Sequence, residues 1–249
     1  MASGDESGGG EFRPAFLPHG PDGISITLGP RPDAPTLDRV RSVAGLLRDA
    51  QPEGCLEVLP ALTSIRVRFD PSVTTRRHLT DRLEAALRGT GAPRAETRRW
   101  TVPVAFDPTN APQLAEAARL AGQSEAEAVA TITGTDLSVL AIGFAPGQPY
   151  LGLLPPSWDI PRQTDLTPRV PEGALVAAVR QLIIFGAATP TGWRQVGGTA
   201  LRAFDPGRTE PFALRSGDVV RFSAADPAEI AALRTAPGGL GGARMEILR

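Results

Sequence analysis

The spacing of apolar positions changes character near residue 100. Upstream, "ISITL" (24–28) alternates large apolar with small polar residues, as a half-buried strand does. In "SIRVRFD", Ile65, Val67 and Phe69 fall on one side and Arg66 and Arg68 on the other, so that strand covers a core on one face only. Between them Leu37, Val40, Ala44 and Leu47 recur at steps of three and four, predicting an amphipathic helix to about Asp49 with Thr36 as its cap. "CLEVLP" reads as another strand. Leu79, Leu83 and Leu87 mark a helix over 75–88, stopped by Gly89 and Gly91. Strand, helix, strand, strand, helix is the order of a compact α+β unit.

Downstream the pattern shortens. "WTVPVAF" is a strand, "APQLAEAARLAG" a helix ended by Gly122, and "SEAE" (124–127) has capping-box spacing for a second helix. From "DLSVLAIGF" onward come short apolar runs divided by Gly/Pro turns: "GALVAAV", "QLIIF", "WRQVG", "ALRAF", "GDVVRFS" and "RMEIL". Many short strands spaced by turns predict a barrel or sandwich. A short helix over 226–234 and the glycine-rich "PGGLGGA" interrupt only the end.

At 249 residues such a chain can bury one or two cores, and two domains are expected. The expected division is a disordered tail at 1–14, an N-terminal α+β domain at 15–92 and a β-rich domain at 93–249, with "GAPRAETRR" (91–99) as linker. A net charge of −1 gives no electrostatic footprint for nucleic acid or an anionic membrane. No apolar run reaches the roughly 18 residues that span a bilayer, and the start lacks a secretory pattern, so a cytoplasmic location is expected.

Composition also removes chemistry. All 26 basic residues are arginine, which excludes Schiff-base lysines, a lysine base and the lysine of a phosphate loop. Cys55 is the only cysteine, so no internal disulfide or cysteine-based metal site exists, and it reads as a small core residue. His19 and His78 have no further zinc ligands nearby in sequence, and no metal site is expected. Nucleotide, metalloprotease and nucleophile-elbow motifs are absent. "GGLGG" (238–242) follows a helix near the C-terminus and is a weak phosphate loop. Asp205, Glu210 and Asp218 border turns, where carboxylates usually bond backbone N–H groups.

"GFAPGQPYLGLLPPSWDIPR" (143–162) stands apart: its prolines and glycines exclude a helix interior or central strand, yet it is too apolar for an idle surface loop. It is either a packed corner or the wall of a cleft. Arg162 either binds a carboxylate or phosphate or pairs with Asp159 or Asp165. Trp193 is a packing residue or a ligand platform. Gln181 is a polar residue in an apolar strand whose amide, if buried, needs a partner.

In order, the chain carries "GFAPGQPYLGLL" (143–154), "PR" (161–162), "VPEGALVAAVRQLIIFGAATPTGW" (170–193), "VGGTALRAFD" (196–205) and "SGDVVRF" (216–222). Together these resemble the KipI family, which includes the B-type subunit of 5-oxoprolinase and the allophanate hydrolase subunit 1 domain. "GCLEVLPALTSIRVRFDP" (54–71) and "VPVAFDPTNAPQL" (102–114) extend the resemblance to about residues 15–230. It implies a small N-terminal α/β domain followed by a cyclophilin-like β-barrel. It also implies a homologous carboxyltransferase-type partner subunit, with ATP used by the complex and no cofactor on this chain. The substrate-binding residues it implies are Phe144, Pro146, Gly147, Gln148, Tyr150, Arg162, Gln181, Phe185 and Trp193, around a small-molecule ligand. No catalytic residue is singled out.

The departures share a direction. Gln148 stands where the family has an aromatic, and Leu166 and Thr167 fill the second PR, with Pro168 and Arg169 as a shifted substitute. Gln181 to Gly186 replace QTGIYP, with Phe185 for tyrosine; the family's histidine is lost near Ile132, and Gln113 takes the place of an acid. Such a pocket is less suited to a small charged acid. Three functions follow: a component of an ATP-dependent amide-ring hydrolase of the 5-oxoprolinase type, a kinase-inhibitor-like regulatory module, or a stand-alone barrel binding an apolar substrate, for example a cyclase.

Overall fold

A computed structural model describes residues 13–88 and 97–248. The expected tail, apart from Arg13 and Pro14, and the expected linker, apart from its last three residues, lie outside that range. The chain divides into two compact units after Ala95.

In the first unit β1 (Ala15–Pro18), β2 (Gly23–Thr27), β3 (Cys55–Pro60) and β4 (Ser64–Phe69) form an antiparallel sheet in the order β1-β2-β4-β3. Its apolar face supplies Ile24, Ile26, Ile65, Val67 and Phe69. The helices α1 (Ala34–Ala50) and α2 (Arg76–Arg88) close over that face with Val40, Ala44, Leu47, Leu79 and Leu83, all buried. The alternation in "SIRVRF" is therefore realised residue by residue. Asp33, not Thr36, caps α1: its carboxylate accepts the Thr36 N–H at 3.0 Å, while Thr36 sits buried within the first turn. Pro35 in that turn, where no donor is needed, explains why the helix starts early. β1 was not legible, because "AFLP" is too short to show a period.

The second unit opens with β5 (Thr97–Val104), which absorbs the last three residues of the expected linker. α3 (Leu114–Leu120) and α4 (Glu125–Gly134) follow; Ser124 and Glu127 form the capping box that the sequence announced. Then come β6 (Leu137–Ile142), β7 (Pro149–Gly152), β8 (Thr167–Val170), β9 (Ala174–Ala178), β10 (Gln181–Ile184), β11 (Thr189–Thr191), β12 (Arg194–Gly198) and β13 (Val219–Ala224). α5 (Pro227–Thr235) and β14 (Arg244–Leu248) end the unit. The main sheet runs β12-β9-β10-β7-β6-β13-β5-β14, antiparallel except for β13 beside β5, while β8 and β11 pair separately as a ribbon. These ladders do not close into a barrel. A two-hydrogen-bond bridge between Ala105 and Gly198 does tie the end of β5 to edge strand β12.

The predicted strand over 200–204 does not form, because its backbone groups find partners in loops. Leu201 N–H bonds the Thr199 hydroxyl and Arg202 N–H the Gly239 carbonyl. Inside the sheet, Val102, Val104, Leu151, Leu175, Leu182, Ile184 and Val196 pack with α3, α4 and Trp158 into the main core. Alternate residues of β9 and β10 face the other way and build a smaller, second core. Both faces of these two strands are buried, which is why they read as continuous apolar runs.

Candidate functional site

The loop between β6 and β7 is a tight structure. Gly143 N–H bonds the Gln148 carbonyl and Gln148 N–H the Ala145 carbonyl, both at 3.1 Å. Gly147 has φ +70°, and a β-carbon there would lie 2.8 Å from the Ala203 carbonyl oxygen, so only glycine allows the two segments to meet. Phe144 also has positive φ, 72°, where an aromatic side chain is strained, and is 78% exposed. Pro146 is exposed as well. Gln148 turns inward and is buried; its Oε1 accepts the Gly186 N–H at 3.2 Å, fixing the loop to the turn after β10.

The smaller core lies beside this loop. Phe185 and Trp193 are buried in it with Val170, Val176 and Ile183, and half-buried Tyr150 packs against them. β-strand period explains the convergence: Ile183 pairs with Tyr150 across β7, and Phe185 lies two residues further on the same side. Gln181 occupies that same side of β10, two residues before Ile183. Arg162 is exposed, its Nε 3.7 Å from where a Gly192 β-carbon would be, so its side chain runs past the residue preceding Trp193. The structure thus groups Tyr150, Phe185 and Trp193. It joins Gln148 to the end of the same strand, and leaves Phe144, Pro146 and Arg162 at the surface. Neither Asp159 nor Asp165 forms an ion pair with Arg162 among the described residues.

Sequence reasoning missed an amide network next to Trp193. Gln163 Nε2 donates to the Trp193 carbonyl at 3.1 Å, and its Oε1 accepts from Gln113 Nε2 at 2.7 Å. Gln113 Oε1 accepts the Gln195 N–H at 2.8 Å, and Gln195 Nε2 donates to the Asn110 carbonyl at 2.7 Å. Buried Arg194 donates to Glu116 Oε1 at 2.9 Å and to the Pro161 carbonyl at 2.6 Å. The available signal was "WRQV": two large polar residues in a strand whose every position is buried must carry their partners with them. Gln113 sits at the centre of that neutral network of amides, donating to Gln163 and accepting from Gln195.

A second missed group is structural. Asp218 is buried and accepts both arms of the Arg98 guanidinium, the Trp100 indole N–H at 3.1 Å and the Arg215 N–H at 3.0 Å. Besides bordering a turn, it locks β13 to β5.

Titratable groups outside these clusters are tuned by local bonds. A hydrogen bond from Arg221, at 2.7 Å, holds the Asp136 carboxyl below the usual range, aided by the charges of Arg221 and Arg99. Asn110 does the same for Asp107 through its side-chain amide. Burial pushes the Cys55 thiol up, and the side chain packs against the core of the first unit. Among the described residues no three His, Cys, Asp or Glu side chains come together to hold a metal, and no helix is long and apolar enough to cross a membrane.

The same motifs and fold recur in known proteins. Residues 14–214 match the family described as carboxyltransferase domain, subdomain C and D. The chain is 34% identical to the 5-oxoprolinase B-type subunit of Escherichia coli O157:H7 over 67% of this chain and 77% of that protein. It is 29% identical to the corresponding 5-oxoprolinase subunit of Bacillus subtilis strain 168, over 74% and 81%. Among solved structures, that of TTHA0988 superposes with a TM-score of 0.72 at 32% identity over 82% of this chain, which spans 40% of TTHA0988. Kluyveromyces lactis urea amidolyase superposes with a TM-score of 0.71 at 16% identity, over 94% of this chain and 16% of the amidolyase, a likeness of fold alone. The chain therefore belongs to the carboxyltransferase-domain family, subdomain C and D, the family of KipI and the 5-oxoprolinase B-type subunits that its motifs resemble.

Proposed function

We propose that this chain is the B-type subunit of an ATP-dependent amide-ring hydrolase resembling 5-oxoprolinase, working with a homologous carboxyltransferase-type partner. The observation that carries the reading is the 34% identity to a 5-oxoprolinase B-type subunit across 77% of that protein. The arrangement of the family-like motifs supports it: Gly147 meets Ala203, and Tyr150, Phe185 and Trp193 gather beside the 143–149 loop. We read the second unit as an open relative of the cyclophilin-like barrel, a reading supported by the Ala105–Gly198 bridge between the end of β5 and β12. In this reading the cleft is lined by the 143–151 loop with Gln181, Phe185, Trp193 and Arg162, and the exposed Phe144 faces the partner or the ligand. ATP is used by the complex, not held by this chain.

Co-expression with the homologous partner tests the reading. A complex of the two chains that survives size-exclusion chromatography is expected. Two chains that elute separately under all salt conditions contradict it.

A further inference from the structure

We propose that the open edge of β14 pairs antiparallel with β14 of a second copy of this chain, joining two main sheets into one across a twofold axis. β14 is the last strand of its sheet, bonded to β5 on one side, and all five of its residues are exposed. Met245 and Ile247 lie opposite Trp100 and Arg98, on the face where Trp100 and Val102 enter the main core. They nonetheless stay 46% and 43% exposed, so an apolar stripe continues the core and then ends uncovered.

A strand edge presents a row of unpaired N–H and C=O groups, and proteins that keep an edge free blunt it with proline or a bulge. Every other edge among the described strands is treated that way. β1 ends in Pro18, β3 ends in Pro60 after a bulge between Cys55 and Glu57, and β12 carries a bulge between Gln195 and Gly197. The ribbon strands β8 and β11 contain Pro168 and Pro190. β14, "RMEIL", has no proline, and its ladder with β5 runs over all five residues without a bulge.

The order of charges along β14 selects a second copy as the occupant. A continuous sheet keeps its two faces, so each residue of an antiparallel twofold pair meets one of its own face, and the axis passes through a residue. An axis through Glu246 sets carboxylate against carboxylate, one through Arg244 sets guanidinium against guanidinium, and one through Ile247 sets Glu246 against Leu248. An axis through Met245 alone sets opposite charges together: Arg244 meets Glu246 of the second copy, twice, while Met245 meets Met245 and Ile247 meets Ala243. Both charges are available for this. Arg244 has no ion pair among the described residues, and Glu246 reaches Arg99 at 3.7 Å. Pairing extends the row Asp136, Arg99, Glu246 by the Arg244 of the second copy.

Sedimentation velocity on the full chain, over a series of micromolar concentrations, tests the proposal. A monomer–dimer equilibrium is expected. Arg244→Glu sets two carboxylates opposite each other at both ends of the pair, and Glu246→Arg sets two guanidiniums there, so each should weaken the dimer by about tenfold or more. Mixing the two variants in equal amounts should restore a mixed dimer, because each then supplies the charge the other lacks, and this recovery requires both to be folded. A chain that is monomeric throughout the series overturns the proposal. So does a dimer that either variant leaves within twofold of the original, or a pair of folded variants that stay monomeric when mixed. A chain that is monomeric alone and uses β14 only to bind the homologous partner also overturns it. The readout needs neither that partner nor turnover, so failure of the hydrolase-complex reading registers separately.

Discussion

Gln148 Oε1 accepts the Gly186 N–H at 3.2 Å, joining the loop before β7 to the turn after β10. Gln148 is buried and this is the bond that holds its side chain to the neighbouring turn. Gln148→Leu removes the acceptor and leaves a half-buried N–H unpaired. A loss of about 1–2 kcal/mol is expected, read as a lower urea midpoint with an unchanged slope.

Two positive-φ positions in the same loop have opposite predicted responses. Gly147→Ala meets both an unfavourable backbone and the Ala203 carbonyl at 2.8 Å, and should cost about 2 kcal/mol or more. Phe144→Gly relieves strain and removes an exposed ring, so thermal stability should hold or rise by up to about 1 kcal/mol. Differential scanning calorimetry on the two variants separates them. If Phe144 meets a partner, its loss should weaken the complex while leaving the isolated chain intact.

Asp218 is buried, the Arg98 guanidinium is partly so, and both Asp218 oxygens are hydrogen-bonded, so removing one partner leaves the other's desolvation uncompensated. Asp218→Leu should cost about 3–5 kcal/mol, and Arg98→Met with Asp218→Leu together distinctly less than the sum of the single changes. A double-mutant cycle in guanidinium chloride measures the coupling.

Acid stability follows from the sign of the shifts. Arg221 lowers the Asp136 pKa in the folded chain, so the unfolded chain binds that proton more readily. The stabilisation is present above the ordinary carboxylate range and lost as pH falls through the depressed folded value. Asp33, Asp70, Asp107 and Glu127 are depressed by local hydrogen bonds in the same direction. The melting temperature should be flat above about pH 5 and fall below about pH 4. Arg221→Gln should make that fall shallower.

What could be read from the sequence depended on how local the cause was. The α2 stripe, the Ser124–Glu127 box and the alternation of Ile65, Val67 and Phe69 are each set by neighbours in the chain, and each is realised. The order of strands in the second unit was not legible, because β5 meets β13 and β14 across more than a hundred residues. "ALRAF" has a strand's composition, but Gly239 and Thr199 take its backbone groups. Around the site, motif order pointed to Tyr150, Phe185 and Trp193, which do gather. The Gln113–Gln163–Gln195 network escaped notice because its members lie far apart in sequence and only burial demands that they meet.

Formation of glutamate from 5-oxoproline and ATP, measured on this chain combined with its homologous partner and the third protein of such an enzyme, tests the central claim most directly. The account predicts glutamate and ADP appearing together, only when this chain is present. A stable, fully assembled complex that hydrolyses no ATP in response to 5-oxoproline would contradict it.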